Sequence, residues 1–172
     1  LSAHYRPYLL NKEAQVVTVQ ELLNQRTHYK KHYGPHLFIR PSSGTKPFGG
    51  GIFSLEHLEG YDWVQSYSGQ VLINHPLAIR AEWRTIVANR QVICGGCYAP
   101  QLTDYLPPEV ITFVESLNIE WEPDPIYVVD VCHAEGHLHV MELNPFSCSD
   151  YYRCPVEPIV TWANAIPHQR LA

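Results

Sequence analysis

Tyr127-Val-Val-Asp130-Val-Cys-His-Ala-Glu135-Gly136-His137-Leu-His-Val-Met-Glu142-Leu-Asn144-Pro145 is the stretch whose reading decides the fold. Two apolar runs flank a turn signal at Glu135-Gly136, which is the pattern of a β-hairpin. Three oxygen-bearing side chains interrupt these runs. Glu142 and Asn144 are two residues apart, so the two-residue period of a strand places them on one face. Asp130 lies mid-strand on the partner, and a carboxylate among apolar neighbours is costly unless something cationic meets it. Two carboxylates and an amide carbonyl are hard oxygen ligands suited to Mg²⁺. A three-residue loop, Glu135-Gly136-His137, sets Asp130 opposite Glu142, whereas a two-residue turn sets it opposite Met141. The first register is the one expected, with Asp130, Glu142 and Asn144 converging.

The surrounding composition narrows the classes of function. At 172 residues the chain suffices for one domain or two small lobes with a proper core. Apolar content of 45% and charged content of 17% describe a globular chain. A net charge of −5 with only 12 Lys and Arg argues against a nucleic-acid partner or an anionic membrane surface. No apolar run reaches the length of a bilayer span. The first residues, Leu-Ser-Ala-His-Tyr-Arg, lack the basic and apolar regions of a signal peptide. Five cysteines, an odd number, favour reduced thiols and a cytoplasmic setting over a disulfide framework.

Moving outward, Thr18 and Glu21 form a capping-box pattern that predicts a helix from Thr18 to about Tyr29. A strand at Leu37 to Arg40 follows and stops at Pro41. Ser42 to Gly51 contains four glycines and two serines and is loop-like. Further strands are expected at Ile52-Phe53, Val71 to Asn74, Ile79 to Ala88 and Gln91 to Tyr98, the last two joined by a tight turn at Asn89-Arg90. Leu55 to Leu58 reads as a short helical turn. Helices are expected from Pro107-Pro108 to Leu117 and from about Pro155 to Ala165. Isolated helices among mainly antiparallel strands make the fold class α+β.

Two other features could carry chemistry. Arg40 precedes the glycine-rich loop and Lys46 lies inside it; glycines let backbone N–H groups approach phosphate oxygens while the cations neutralise them. The bland alternative is a solvated loop with two surface cations. Along Ile79 to Ala88, alternation puts Arg80, Glu82 and Arg84 on one face. That face is either a surface ion-pair ladder, worth little, or the lining of an anion-binding cleft.

Taken in order, Arg40-Pro-Ser-Ser-Gly-Thr-Lys46, Glu82-Trp-Arg84, Tyr127-Val-Val-Asp130 and Glu142-Leu-Asn144-Pro-Phe-Ser resemble an ATP-grasp catalytic domain. The likeness is greatest to the small phage- and bacteria-associated ATP-grasp proteins, and it spans roughly Leu37 to Tyr152. It implies two α+β lobes, about 1–70 and about 71–172, with ATP between them. It implies ATP and Mg²⁺ as cofactors: Arg40 and Lys46 on the phosphates, Val71, Leu72, Ile73 and Asn74 as the adenine hinge, and Glu82 among the nucleotide contacts. Asp130, Glu142 and Asn144 would hold the metal, and of the catalytic pair Lys46 would close the loop over the phosphates while Arg84 would face the transferred phosphate or the substrate carboxylate. The implied reaction is carboxylate–amine ligation through an acyl phosphate, with a small carboxylate or peptide and an amine as substrates. The usual N-terminal domain of such proteins is expected to be missing or truncated. A catalytically silent nucleotide-binding module and a phosphotransferase are the alternatives.

Two patterns are set lower. Cys94-Gly-Gly-Cys97 has metal or redox spacing, and Cys148 and Cys154 could complete a four-thiolate zinc site; alternation, however, puts Cys94 and Cys97 on opposite faces unless the glycine pair bends the strand. His133, His137 and His139 flank the hairpin turn and read as exposed histidines.

Overall fold

The structure, a computed structural model, describes residues 5–117 and 122–169, the last four without their side chains. It divides into two compact units. One is Glu13–Leu77; the other joins the segment ending at Lys12 to the chain from Ala78 onward.

The first unit is built on a four-stranded antiparallel sheet. Its strands are β1 (Gln15–Thr18), β2 (His36–Pro41), β3 (Gly51–Ser54) and β4 (Gln70–Asn74), in the order β1-β4-β2-β3. Period-two alternation sends Leu37, Ile39, Val71 and Ile73 into one fully buried core. The opposite face carries two cross-strand rows, Val16–Leu72–Arg40 and Asn74–Phe38–Ile52.

The capping box at Thr18 forms as expected: the Glu21 carboxylate accepts from the Thr18 N–H at 2.8 Å, and Thr18 Oγ1 accepts from the Glu21 N–H at 3.1 Å. The expected single helix is two, α1 (Val19–Asn24) and α2 (Arg26–Tyr33), separated at Gln25. That break lets α1 bury Val19 and Leu22 while α2 buries Tyr29 against the same core. The turn expected at Leu55 to Leu58 is a 3₁₀ turn at Leu58–Gly60, followed by the short α3 (Asp62–Ser66).

The second unit is also a four-stranded antiparallel sheet: β5 (Ile79–Ala88), β6 (Gln91–Ala99), β7 (Ile126–Ala134) and β8 (His137–Pro145), in the order β6-β5-β7-β8. Asn89 and Arg90 turn the first hairpin with φ of 49° and 62°, the left-handed pair that matches strand twist. One face packs Val87, Val129, Val131 and Leu143 against Tyr5 and against α4 (Pro108–Glu115) through Val110 and Val114. The other face packs Ile86, Ala88, Ile126 and Val128 against Cys154 and against α5 (Val156–Gln169) through Ile159.

The expected lobe boundary near residue 70 is corrected in two places. Strand β4 pairs with β1 and β2, so the first unit extends to Leu77. The N-terminal segment belongs to the second unit, because Tyr5 is fully buried in its core and the Leu10 N–H donates to the Val140 carbonyl at 2.9 Å. Among the described residues no helix is long and apolar enough to cross a membrane.

Candidate functional site

The hairpin of β7 and β8 turns on two residues, Glu135 and Gly136, both at positive φ (52° and 82°), with Ala134 opposite His137. The expected three-residue loop is therefore wrong. A plain continuation would have set Asp130 against Met141. Instead the register shifts between Val131 and Asp130, so that Val131 faces Val140 while Asp130 faces Glu142. Met141 is the extra residue of a β-bulge. The expected pairing is reached by another route, with Asn144 opposite Val128 on the same face as Glu142.

Arg84 is the nearest neighbour of Asp130 on the other side, directly opposite it on β5. The pair is a bidentate fork: Nε donates to Oδ1 at 2.8 Å and Nη2 to Oδ2 at 2.7 Å. Both residues are buried, at 7% and 3% exposure, so the ion-pair ladder on a solvated surface is not what this strand forms. Nη1 donates to the Asp150 carbonyl at 2.7 Å, and the guanidinium carbon lies 4.3 Å from the centre of the Tyr152 ring. Burial opposes the charge on Arg84, but the hydrogen bonds and charge of Asp130 outweigh it and hold the guanidinium above its ordinary pKa.

Tyr98 lines the same region, stacked on Tyr152 at 5.1 Å and hydrogen-bonded to Glu82. Burial, with the Asp130 and Glu82 charges, pushes its phenol far above the usual range, so it stays protonated. Cys132, opposite Glu82 on β7, is fully buried; burial and that charge push its thiol up to about 12, which makes it a poor nucleophile.

Asp130, Glu142 and Asn144 thus present hard oxygens on one sheet face, a donor set that fits Mg²⁺. Asp130 is the compromised member, because Arg84 engages both of its oxygens; each keeps a second lone pair.

In the first unit, Arg40 and Lys46 line one cleft of about 250 Å³ together with Phe38, Pro41, Phe48 and Gly50. Lys46 sits at φ 45°, a left-handed kink in the loop. A Cβ on Gly50 would stand 3.0 Å from that of Arg40, so the glycine is what lets the loop lie against the strand. Phe48 stacks on Trp63 at 4.3 Å and 13°, anchoring the end of the loop in the aromatic core.

The four residues expected at the adenine hinge divide between the two faces of β4. Val71 and Ile73 point into the core, and β4 is paired on both edges, so neither offers a side chain to a ligand. Leu72 and Asn74 share the Arg40 face.

Sequence reasoning missed Tyr98, Asp150 and Tyr152, and it assigned no part to the glycines of Cys94-Gly-Gly-Cys97. A Cβ on Gly95 would meet the Arg84 carbonyl oxygen at 2.7 Å, and one on Gly96 would meet the Thr103 carbonyl oxygen at 2.6 Å. The glycines serve close packing. The four-thiolate site does not form: Cys94 and Cys154 are buried, Cys97 donates to the Ala99 carbonyl, and Cys148 is exposed. Among the described residues no group of three or more His, Cys, Asp or Glu is arranged to hold a metal. Of the hairpin histidines only His137 is exposed; His133 and His139 are half-buried.

A family model of the ATP-grasp domain, the third family of its clade, matches residues 2–166. No curated protein matches the sequence. Among solved structures the chain is similar to a RimK domain ATP-grasp protein from Sphaerobacter thermophilus, with a TM-score of 0.57 and 15% identity over 76% of this chain and 50% of that one. It is similar to D-alanine–D-alanine ligase from Bacillus anthracis, with a TM-score of 0.55 and 19% identity over 77% and 50%. It is also similar to N5-carboxyaminoimidazole synthetase from Staphylococcus aureus complexed with ADP, with a TM-score of 0.50 and 15% identity over 77% and 39%. At such identities the likeness establishes the fold, and the chain spans half or less of the length of these three structures.

Proposed function

The chain belongs to the ATP-grasp domain family, and from that premise we propose that it uses ATP to ligate a carboxylate to an amine. The observation that carries this reading is the buried Arg84–Asp130 fork set directly beside Glu142, with Asn144 on the same face. A fixed cation beside hard oxygen donors is what phosphoryl transfer asks of a protein, since positioning and electrostatics supply most of its catalysis.

In this reading Arg40 and Lys46 hold phosphate oxygens, with the kink at Lys46 carrying its amine over the loop. Leu72 and Asn74 take the adenine side, and Glu82 is a further nucleotide contact. Glu142, Asn144 and Asp130 would hold Mg²⁺, which would supply charge neutralisation at the phosphates. Arg84 commits three N–H groups to Asp130 and Asp150, which fixes the plane of the guanidinium. Its remaining N–H groups face the charge that builds on the transferred phosphoryl group.

The substrate carboxylate attacks the γ-phosphorus, the bond to the β-phosphate oxygen breaks, and ADP leaves. The neutral amine then attacks the acyl carbon. A C–N bond forms, the C–O bond to phosphate breaks with its electron pair, and nitrogen loses a proton to water. No protein nucleophile takes part. Five free cysteines suit a cytoplasmic setting for such an enzyme.

The test is ADP release from Mg-ATP in the presence of a pool of carboxylates, amino acids and peptides. Wild type is expected to release ADP and form an amide, and Glu142→Gln is expected to abolish this while leaving the melting temperature equal or higher without metal. ATP binding without turnover would replace this reading with that of a silent nucleotide-binding module, and a stable phosphorylated product with that of a phosphotransferase.

A further inference from the structure

Both outer strands of the second sheet carry an extra residue, and the two extra residues meet. On β8 it is Met141. On β6 it is Tyr98: Cys97 faces Trp83 and Ala99 faces Glu82, which leaves Tyr98 between them without a partner on β5. The two bulges flank the Trp83–Val131 pair from opposite edges of the sheet. Three strand spacings, about 14 Å, separate β6 from β8, yet the Tyr98 hydroxyl lies 3.8 Å from the Met141 sulfur. A bulge re-aims the side chain that it frees. Here both point inward, over the face that holds Glu82, Arg84 and Asp130.

The Tyr98 ring stacks on Tyr152, which covers the Arg84 guanidinium. Its hydroxyl has one proton for two acceptors, the Glu82 carboxylate and the Met141 sulfur. The carboxylate is the stronger acceptor, so the proton serves Glu82 while the thioether packs against the phenolic oxygen. Burial and the neighbouring carboxylates keep that proton in place. Without the phenol, Glu82 has another partner within reach. Arg84 is two residues further along the same strand face, and it has N–H groups beyond the three given to Asp130 and Asp150. Among the described residues Arg84 forms its ion pair with Asp130, and Glu82 forms none.

We propose that Tyr98 is a positioning residue whose hydroxyl tethers Glu82 and keeps that carboxylate off Arg84. The tether leaves Glu82 turned to the nucleotide and the remaining N–H groups of Arg84 open to the transferred phosphoryl group. Its benefit to the reaction rests on the ligase reading; the tether itself rests on the two bulges and the contacts of the phenol.

The experiment compares wild type, Tyr98→Phe, Glu82→Ala and the double variant of the full chain. Tyr98→Phe keeps the ring and its stack on Tyr152 and loses only the hydroxyl. Without nucleotide, the Arg84 side-chain N–H resonances are expected to shift in Tyr98→Phe as Glu82 turns onto the guanidinium. The same change in the Glu82→Ala background should move them far less, because no carboxylate is left to turn. With Mg²⁺ present, Tyr98→Phe should weaken AMPPNP binding at least about tenfold by calorimetry, the loss of one hydrogen bond to a charged group, and lower kcat for ADP release. Both effects should fall to under about twofold in the Glu82→Ala background, the coupling expected of two residues that act as one. Arg84 resonances unmoved by Tyr98→Phe, or moved equally in both backgrounds, overturn the tether, as does a loss of AMPPNP affinity of the same size with and without Glu82. A coupled Arg84 shift in a chain whose wild type binds no AMPPNP supports the tether while removing the ligase reading, so the two failures are distinguishable.

Discussion

Asp130→Asn is the most informative single change, because it removes one charge from a buried pair and keeps the shape of the side chain. The charge centres of a bidentate Arg–carboxylate fork lie about 4 Å apart, where the attraction in a protein interior of moderate polarity is about 4 kcal/mol. Both partners are under 10% exposed, so solvent screening removes little of this. Breaking such a pair from one side leaves an uncompensated buried charge and costs about 3–5 kcal/mol. Part of that loss is buffered, since Arg84 keeps the Asp150 carbonyl and the Tyr152 ring. The expected destabilisation of Asp130→Asn is therefore near the lower end, about 3 kcal/mol.

The double variant Arg84→Met with Asp130→Leu should instead come within about 1 kcal/mol of wild type or exceed it, because it removes both desolvation costs together. Urea unfolding followed by tryptophan fluorescence reads all three proteins. A loss under about 1 kcal/mol for Asp130→Asn, or a double variant no better than the single, would refute the view that this fork is a mutually dependent buried pair. Either single or double change should also remove ATP turnover, so the double variant separates the two properties: it folds and does not catalyse.

Three further outcomes follow from other parts of the molecule. Lys46→Ala should weaken ATP binding by about 1.5–3 kcal/mol, the value of a charged hydrogen bond, and unchanged affinity by calorimetry would remove Lys46 from the phosphate site. Gly96→Ala should cost about 1–3 kcal/mol by overpacking, since its methyl meets the Thr103 carbonyl oxygen at 2.6 Å; a neutral urea midpoint would contradict the close packing. Burial depresses the pKa of His139 below its ordinary 6.5. The unfolded chain then binds the extra proton first, so stability is present above about pH 6.5 and falls as the pH drops below it. His139→Leu should lose that acid sensitivity, and urea midpoints across the range from neutral to mildly acidic pH check it.

Local signals carried most of the fold. The capping box at Thr18, the alternation of Leu37 and Ile39, and the Asn89-Arg90 and Glu135-Gly136 turns are all short-range patterns, and the elements follow from them. The errors lie where a distant contact decides. Gln25 breaks a helix because Tyr29 must reach the same core as Leu22. Tyr5 draws the N-terminal segment into the second unit, which nothing within those residues announces. That Val71 and Ile73 lie in the core of a central strand likewise waits on the partners of β4, since a central strand and an edge strand read alike in sequence.

The candidate site shows the same division more sharply. Asp130, Glu142 and Asn144 could be singled out because oxygen ligands stand out in apolar strands. That Asp130 belongs first to Arg84 depends on the register of β5 against β7, a pairing across 46 residues that no local pattern fixes. The segment from Asp150 to Cys154 is harder still, since its part is played by a carbonyl, a ring face and a thiol aimed at one arginine. Met141 makes the point from the opposite side. Turn chemistry at Glu135-Gly136 favours two residues, while a site with Asp130 facing Glu142 needs one more in the register. The bulge reconciles them, because it satisfies the local preference of the turn and the long-range demand of the site without changing either. Flattening the bulge while keeping Met141 would carry the plain ladder on from the turn, set Met141 opposite Asp130 and turn Glu142 and Asn144 to the face now packed by Leu143.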